Sequence, residues 1–147
     1  MMAARTGIDL CDPERIKKAV ARHGQRFLDH VFTRGEVAYC SAFADPHLSY
    51  AARFAAKEAV MKALGAGIGK ISFTEIEVIS EEGGRPRVIL RGKAKKIAQE
   101  LGVTSLDVSL THIKGMTAAS AVALTQSGGA IMGADKPMTT NPREDGF

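Results

Sequence analysis

Arg53, Lys57, Glu58 and Lys62 place four charged side chains within ten consecutive residues, among the apolar Phe54, Met61 and Leu64. With Tyr50 at zero on a helical wheel and about 100° added per residue, Phe54, Met61 and Leu64 fall within about 40° of it. Lys57 then sits about 20° to one side of that apolar stripe and Glu58 about 80° to the other. A charge beside a buried stripe needs a partner or a metal, because desolvating it is costly. Arg53, Lys57 and Lys62 suit an anion with several phosphates, and Glu58 suits a hard cation. Mg2+ joins the two, since it commonly takes one or two carboxylates and completes its shell with phosphate and water. The plainer reading is an exposed pair: Glu58 and Lys62 stand in the favourable i,i+4 order, which contributes ~0.2–0.5 kcal/mol. These residues alone leave the two readings level.

Gly65, Gly67 and Gly69 follow directly. They come after a helix C-terminus, whereas P-loops and dinucleotide folds bring phosphate to a helix N-terminus. The spacing is not GxxxxGK[ST], which excludes a nucleotide hydrolase of that type. The segment is either a C-terminal cap with a turn or a loop whose N–H groups approach a phosphate. In Ser109-Leu110-Thr111-His112, alternation puts His112 on the face of Leu106, Val108 and Leu110. A histidine at the end of an apolar face is more often packed and hydrogen-bonded than catalytic.

The elements that must position these residues can be read from local signals. Thr6–Leu10 is a short strand. Asp12 as N-cap and Pro13 at the first helical position open a helix that runs to about Val31, with Ile16, Val20, Phe27 and Val31 on one face and Arg15, Lys18, Arg22 and Arg26 on another. Thr33-Arg34-Gly35-Glu36 has the capping-box form and opens a second helix through about Phe43. Asp45-Pro46 starts a third, 46–64, closed by Gly65 and roughly 28 Å long. Residues 73–80 and 87–92 form a hairpin around Glu81–Pro86, Lys93–Leu101 is a short helix, and Leu106–Ile113 and Thr117–Thr125 are two more alternating strands. The order predicts an α+β protein: an antiparallel β-sheet packed with a long central helix and shorter helices.

The chain has 147 residues, a size for one domain. Residues 126–147 are rich in Gly, Pro, Asn, Thr and charge, and read as an unstructured tail after a single domain over 1–125. The net charge is +4, and the tail holds two positive and three negative side chains, so the surplus lies in the domain. A basic balance predicts an anionic partner: nucleic acid, an acidic protein or a phosphorylated small molecule. No apolar run approaches the ~18–20 residues needed to span a bilayer. No signal-peptide stretch follows Met1, and Cys11 and Cys40 stand alone without metal-ligand spacing. The expected location is the cytoplasm.

Three segments together resemble the holo-acyl-carrier-protein synthases, the small group of phosphopantetheinyl transferases. They are Gly7-Ile8-Asp9-Leu10 with Arg15-Ile16; Arg53-Phe54-Ala55-Ala56-Lys57-Glu58-Ala59 continuing to Lys62-Ala63-Leu64-Gly65-Ala66-Gly67-Ile68; and Val108-Ser109-Leu110-Thr111-His112. The Gly84-Arg85-Pro86 hairpin is also similar, and the likeness covers about residues 5–125. The second segment is the specific one. The resemblance implies the 4'-phosphopantetheinyl transferase fold and transfer of the phosphopantetheine arm of coenzyme A to a serine of apo acyl carrier protein, releasing adenosine 3',5'-bisphosphate, for fatty acid biosynthesis. It implies Asp9 and Glu58 as Mg2+ ligands and Glu58 and Lys62 as catalytic groups. Glu58 or a water on the ion serves as base, and the residues do not choose between them.

For coenzyme A it implies Arg53, Lys57, Lys62, Gly65, Ala66, Gly67, Ser109, Thr111 and His112, the last at the 3'-phosphate or adenine. Arg15, with Lys18, Arg22 and Arg26 on its face, would dock the acidic carrier. Members are commonly homotrimers with coenzyme A between subunits. Two departures stand out. Met2-Ala3-Ala4-Arg5 replaces a start with another glycine and more apolar residues, which predicts a shorter or frayed first strand. Ala66 replaces a common threonine, removing a hydroxyl near the phosphates. Two rivals come from the charge: a small RNA-binding domain and a non-catalytic adaptor for acidic proteins. Aromatic residues at 5%, no Trp and no RNP-type or GXXG segment count against the first. The grouping of Asp9, Glu58 and Lys62 would be unexplained in the second.

Overall fold

The computed structural model of the chain describes residues 1–126. Along them run β1 (Met2–Cys11), α1 (Pro13–His23), α2 (Gln25–Val31), α3 (Arg34–Ser41), α4 (Pro46–Leu64), a 3-10 turn (Phe73–Glu75), β2 (Ile76–Ser80), β3 (Pro86–Leu90), α5 (Gly92–Glu100), β4 (Val103–Ile113) and β5 (Met116–Gln126). The predicted α+β architecture is present, with every strand pair antiparallel. Its strands are divided between a three-stranded sheet of order β1-β5-β4 and the separate β2-β3 hairpin.

The long central helix begins and ends where its caps dictate. Asp45 accepts a hydrogen bond from the His47 N–H, Pro46 holds the first position, and Gly65 closes the helix in the left-handed region at φ 68°. The capping box of α3 is also formed, with Thr33 and Glu36 each satisfying the other's backbone N–H.

Four expectations are corrected. The first helix is two helices, because Gly24 adopts φ 58°, ψ −138°, a conformation outside the helical region that only glycine takes easily. The first strand is long, not frayed: it pairs with β5 from Met2 opposite Gln126 to Cys11 opposite Thr117, so the central strand supplies a full ladder to a segment with little strand signal of its own. Phe73–Glu75 turns instead of extending, with the Ser72 N–H bonded to the Glu75 carboxylate. Gln126, assigned to the tail, closes β5; the rest of the predicted tail, 127–147, lies outside the described residues.

Helix α4 lies on the inner face of the three-stranded sheet. Small residues meet there: Ala55, Ala59 and Ala63 from the helix and Ala119, Ala121 and Ala123 from β5, all at most 2% exposed. They let helix and sheet backbones approach closely. Gly7 marks the tightest point: a Cβ built on it would stand 1.9 Å from the Ala59 carbonyl oxygen and 2.9 Å from the Ala63 nitrogen.

Candidate active site

Alternation along β1 sends Arg5, Gly7, Asp9 and Cys11 inward and leaves Ile8 and Leu10 exposed. Because Gly7 lets the strand touch α4, Asp9 arrives beside the last two turns of that helix. Lys62 Nζ donates to Asp9 Oδ1 at 3.0 Å and to the Ile8 carbonyl at 2.8 Å. Glu58, one turn earlier, lies half-buried in the same field. Burial first, and then the Asp9 charge, raise its pKa above the usual carboxylate value, while Lys62 and Arg15 pull it down. Arg15 reaches this place from α1, its guanidinium 6.0 Å over the Phe54 ring. Four charged groups from β1, α1 and α4 therefore share one site.

Cys11 adjoins it but stays a thiol, since burial pushes its pKa up to about 11. Thiolate chemistry is therefore not available at neutral pH.

Among the described residues no three His, Cys, Asp or Glu side chains gather closely enough to hold a metal by themselves. Glu58 does stand beside Asp9, whose charge raises its pKa, and a divalent cation would relieve that repulsion. The donor set fits Mg2+ completed by phosphate and water, and does not fit a closed structural metal site.

Two of the expected phosphate ligands point elsewhere. Lys57 is fully buried, and all three of its donors are taken: Glu36 Oε1 at 2.6 Å, the Ile76 carbonyl at 2.7 Å and the Phe73 carbonyl at 3.0 Å. Arg53 is 4% exposed, lies 4.0 Å over the Tyr39 ring and donates to Ser80 Oγ. Neither is presented to a coenzyme A molecule at Asp9.

The glycine segment is settled in favour of a helix cap at its start. The Gly65 and Ala66 N–H groups bond the Lys62 and Met61 carbonyls, and the Ala66 side chain is buried, so neither amide is offered to phosphate. Gly67 remains exposed. The Ala63 carbonyl, also orphaned at the helix end, accepts from Arg5 Nε at 2.8 Å. Arg5 thus caps α4, a role no local pattern announced.

Ser109 and Thr111 stand opposite Ser120 and Ala118 of β5, on the outer sheet face with Ile8 and Leu10. Within one chain the sheet separates them from Asp9. His112 is in register with Thr117 and Cys11, one inward row beyond Asp9, and is exposed. A shallow cavity at the open edge of β1, lined by Thr6, Ile8, Lys62, Ser120 and Val122, runs from the lysine to that outer face. The expected docking residues Arg15, Lys18 and Arg22 are exposed on α1; Arg26 is exposed too, but on α2 beyond the break at Gly24.

Three comparisons bear on this arrangement. A profile of the 4'-phosphopantetheinyl transferase superfamily matches residues 5–122. The holo-[acyl-carrier-protein] synthase of Moorella thermoacetica is 53% identical over 121 residues, covering 82% of this chain and 92% of the relative. That of Carboxydothermus hydrogenoformans is 49% identical over 117 residues, 80% and 94% of the two chains. Among solved structures, the holo-ACP-synthase of Plasmodium yoelii superposes with a TM-score of 0.75 at 28% identity, over 86% of this chain and 99% of that one. The Helicobacter pylori holo-[acyl-carrier-protein] synthase in complex with coenzyme A gives 0.72 at 33% identity, over 80% and 98%.

Proposed function

The chain belongs to the 4'-phosphopantetheinyl transferase superfamily, and on that premise we propose that Asp9, Glu58 and Lys62 form the centre at which it works. It transfers the 4'-phosphopantetheine group from coenzyme A to a serine of apo acyl carrier protein, leaving adenosine 3',5'-bisphosphate. The observation that carries the site assignment is the meeting of Asp9 with Lys62, 53 residues apart, beside a carboxylate whose ionisation Asp9 opposes. Nucleic-acid binding and a purely adaptor role find no support among the relatives.

In the reaction the serine oxygen bonds to the phosphorus bearing pantetheine, and the bond from that phosphorus to the bridging oxygen breaks. The electron pair leaves on the bisphosphate. Asp9 and Glu58 are the residues that would hold Mg2+, which when bound supplies positive charge to the diphosphate. Glu58 is the side chain of this centre placed to accept the serine proton. Lys62 spends two donors on Asp9 and the Ile8 carbonyl, leaving the third for the phosphate oxygen on which charge grows.

The proposal extends to a homotrimer with sites between subunits. Ile8, Leu10 and Ile113 are 66%, 56% and 72% exposed on the sheet, an apolar surface that a second copy would cover. Ser109 and Thr111 lie on that surface, so they, with Gly67 and His112, would meet coenzyme A held against a neighbouring chain. Residues 1–125 act as one domain, a reading supported by the β1–β5 ladder that ties its two ends together. We place the activity in the cytoplasm, in keeping with two free buried cysteines, and in fatty acid biosynthesis, which uses acyl carrier protein.

Two experiments test this reading. Apo carrier mixed with coenzyme A, Mg2+ and the protein should gain the mass of the phosphopantetheine arm, and lose that gain when Mg2+ is chelated; no gain with several carriers defeats the site assignment. Arg15→Glu should raise the KM for carrier by about tenfold while the KM for coenzyme A stays within about twofold. Unaltered carrier affinity would sink the docking role of α1.

A further inference from the structure

A lysine and a glutamate, Lys57 and Glu36, are buried together in the core at 0% and 1% exposure, beneath the active-site face of α4. Both are fully satisfied. Glu36 Oε1 takes the Lys57 ammonium and the Thr33 N–H, and Glu36 Oε2 takes the Val78 N–H at 3.0 Å; Lys57 adds its two carbonyl bonds to Phe73 and Ile76. One ion pair thus ties α3, α4, the 3-10 turn and β2 to one another. As a source of stability such a pair is a poor choice, because desolvating two charges offsets most of their attraction and an apolar pair of similar volume serves as well. Its attested use is to select one arrangement among several that pack equally well.

Helix α4 has that problem. It is buried around most of its circumference: Tyr50, Val60, Met61 and Leu64 supply large apolar side chains, while Ala55, Ala59 and Ala63 form the face against the sheet. Alanines permit close approach but supply no ridges to interlock, so on the sheet side apolar contact resists rotation about the helix axis only weakly. Side-chain tips lie ~6 Å from that axis, so a turn of ~20° displaces them by ~2 Å. That is enough to break the 3.0 Å contact between Lys62 and Asp9. Lys57 has its bonds to groups fixed on three other elements, and Glu58 follows it by about 100°.

We propose that Lys57, through its buried pair with Glu36, is a positioning residue that sets the rotation of α4 and so aims Glu58 and Lys62 at Asp9. The inference rests on the proposed roles of those three residues. Lys57 touches no substrate; it acts through its neighbour.

The test is the double variant Lys57→Met/Glu36→Gln, which removes both charges and leaves neither buried alone. It should melt in a single cooperative transition, yet lose kcat by roughly 30-fold or more while the KM for coenzyme A moves less than about threefold. Binding of Mn2+, followed by water-proton relaxation with coenzyme A present and no carrier, should weaken in parallel. A double variant with wild-type kcat and wild-type Mn2+ binding overturns the proposal. Should that variant not fold, Glu36→Asp keeps the charge and shortens the arm by one methylene; kcat and Mn2+ binding should both fall, and unchanged values overturn the proposal equally. The underlying site reading fails separately, if Glu58→Gln retains turnover. With Glu58→Gln inactive and the double variant fully active, only the positioning role is lost.

Discussion

Glu58→Gln should abolish transfer, by roughly 10³-fold or more in kcat, and at the same time make the protein more stable at pH 8. The first effect follows from removing at once a metal-binding charge and the group that accepts the serine proton. The second follows from the direction of the pKa shift. Burial, and then Asp9, hold the Glu58 carboxyl above its ordinary value of 4.5, so folding favours the protonated form. That contribution is fully present below pH 4.5 and is lost as pH rises through the folded-state pKa. At pH 8 the charged carboxylate is therefore a liability to the fold, which glutamine relieves. Melting curves at pH 8 and pH 5 check it: the variant's advantage should be larger at pH 8. Near-normal turnover would remove Glu58 from the mechanism, and a variant less stable than wild type at pH 8 would show that the site stores no such repulsion.

Gly7→Ala should be the most damaging glycine-to-alanine change among the described residues. The new methyl would lie 1.9 Å from the Ala59 carbonyl oxygen, a backbone atom in mid-helix that cannot step aside. β1 must retreat from α4 by on the order of 1 Å, loosening the contacts of its flanking inward residues, Arg5 to Ala63 and Asp9 to Lys62. Overpacking of this kind costs about 3 kcal/mol, a large part of the ~5–15 kcal/mol that holds a domain together. The melting temperature should drop by ~10 °C and kcat by ~10²-fold, the latter because the carboxylate is misplaced. Gly67→Ala is the control for stability: no atom lies within 4 Å of its added Cβ, so it should melt close to wild type. A Gly7→Ala protein that melts with wild type would contradict the close approach of strand and helix.

Lys57 is where local pattern and fold part company. The helical wheel puts this lysine about 20° from the apolar stripe, and it is indeed buried. The phosphate role, read from residue type and again from the resemblance, does not match: the structure turns the ammonium the other way. Glu36 is legible only as a helix cap, which it also is; that its second oxygen and its charge serve α4 and β2 is a contact across 21 residues to Lys57 and 42 to Val78. Alternation likewise separates Ser109 and Thr111 from His112. The apolar row Leu106, Val108 and Leu110 marks the inward face, and the structure places His112 in that row and Ser109 and Thr111 on the opposite one.

By itself the sequence determined what short-range chemistry controls. Asp45-Pro46 and Gly65 bounded α4 to the residue, Thr33 and Glu36 made their capping box, and alternation located β4 and β5 to within a few residues. Caps and alternation act over about four residues, so they survive in any fold the chain adopts. The tertiary structure alone decided which charges meet. It joined Asp9 to Lys62 across 53 residues, Arg5 to Ala63 across 58, and Lys57 to Glu36 in the core. It also extended β1 to ten residues, through a partner strand at the far end of the domain. These pairings depend on strand register and helix rotation, which are set by packing between elements distant in the chain, and no local pattern carries that information.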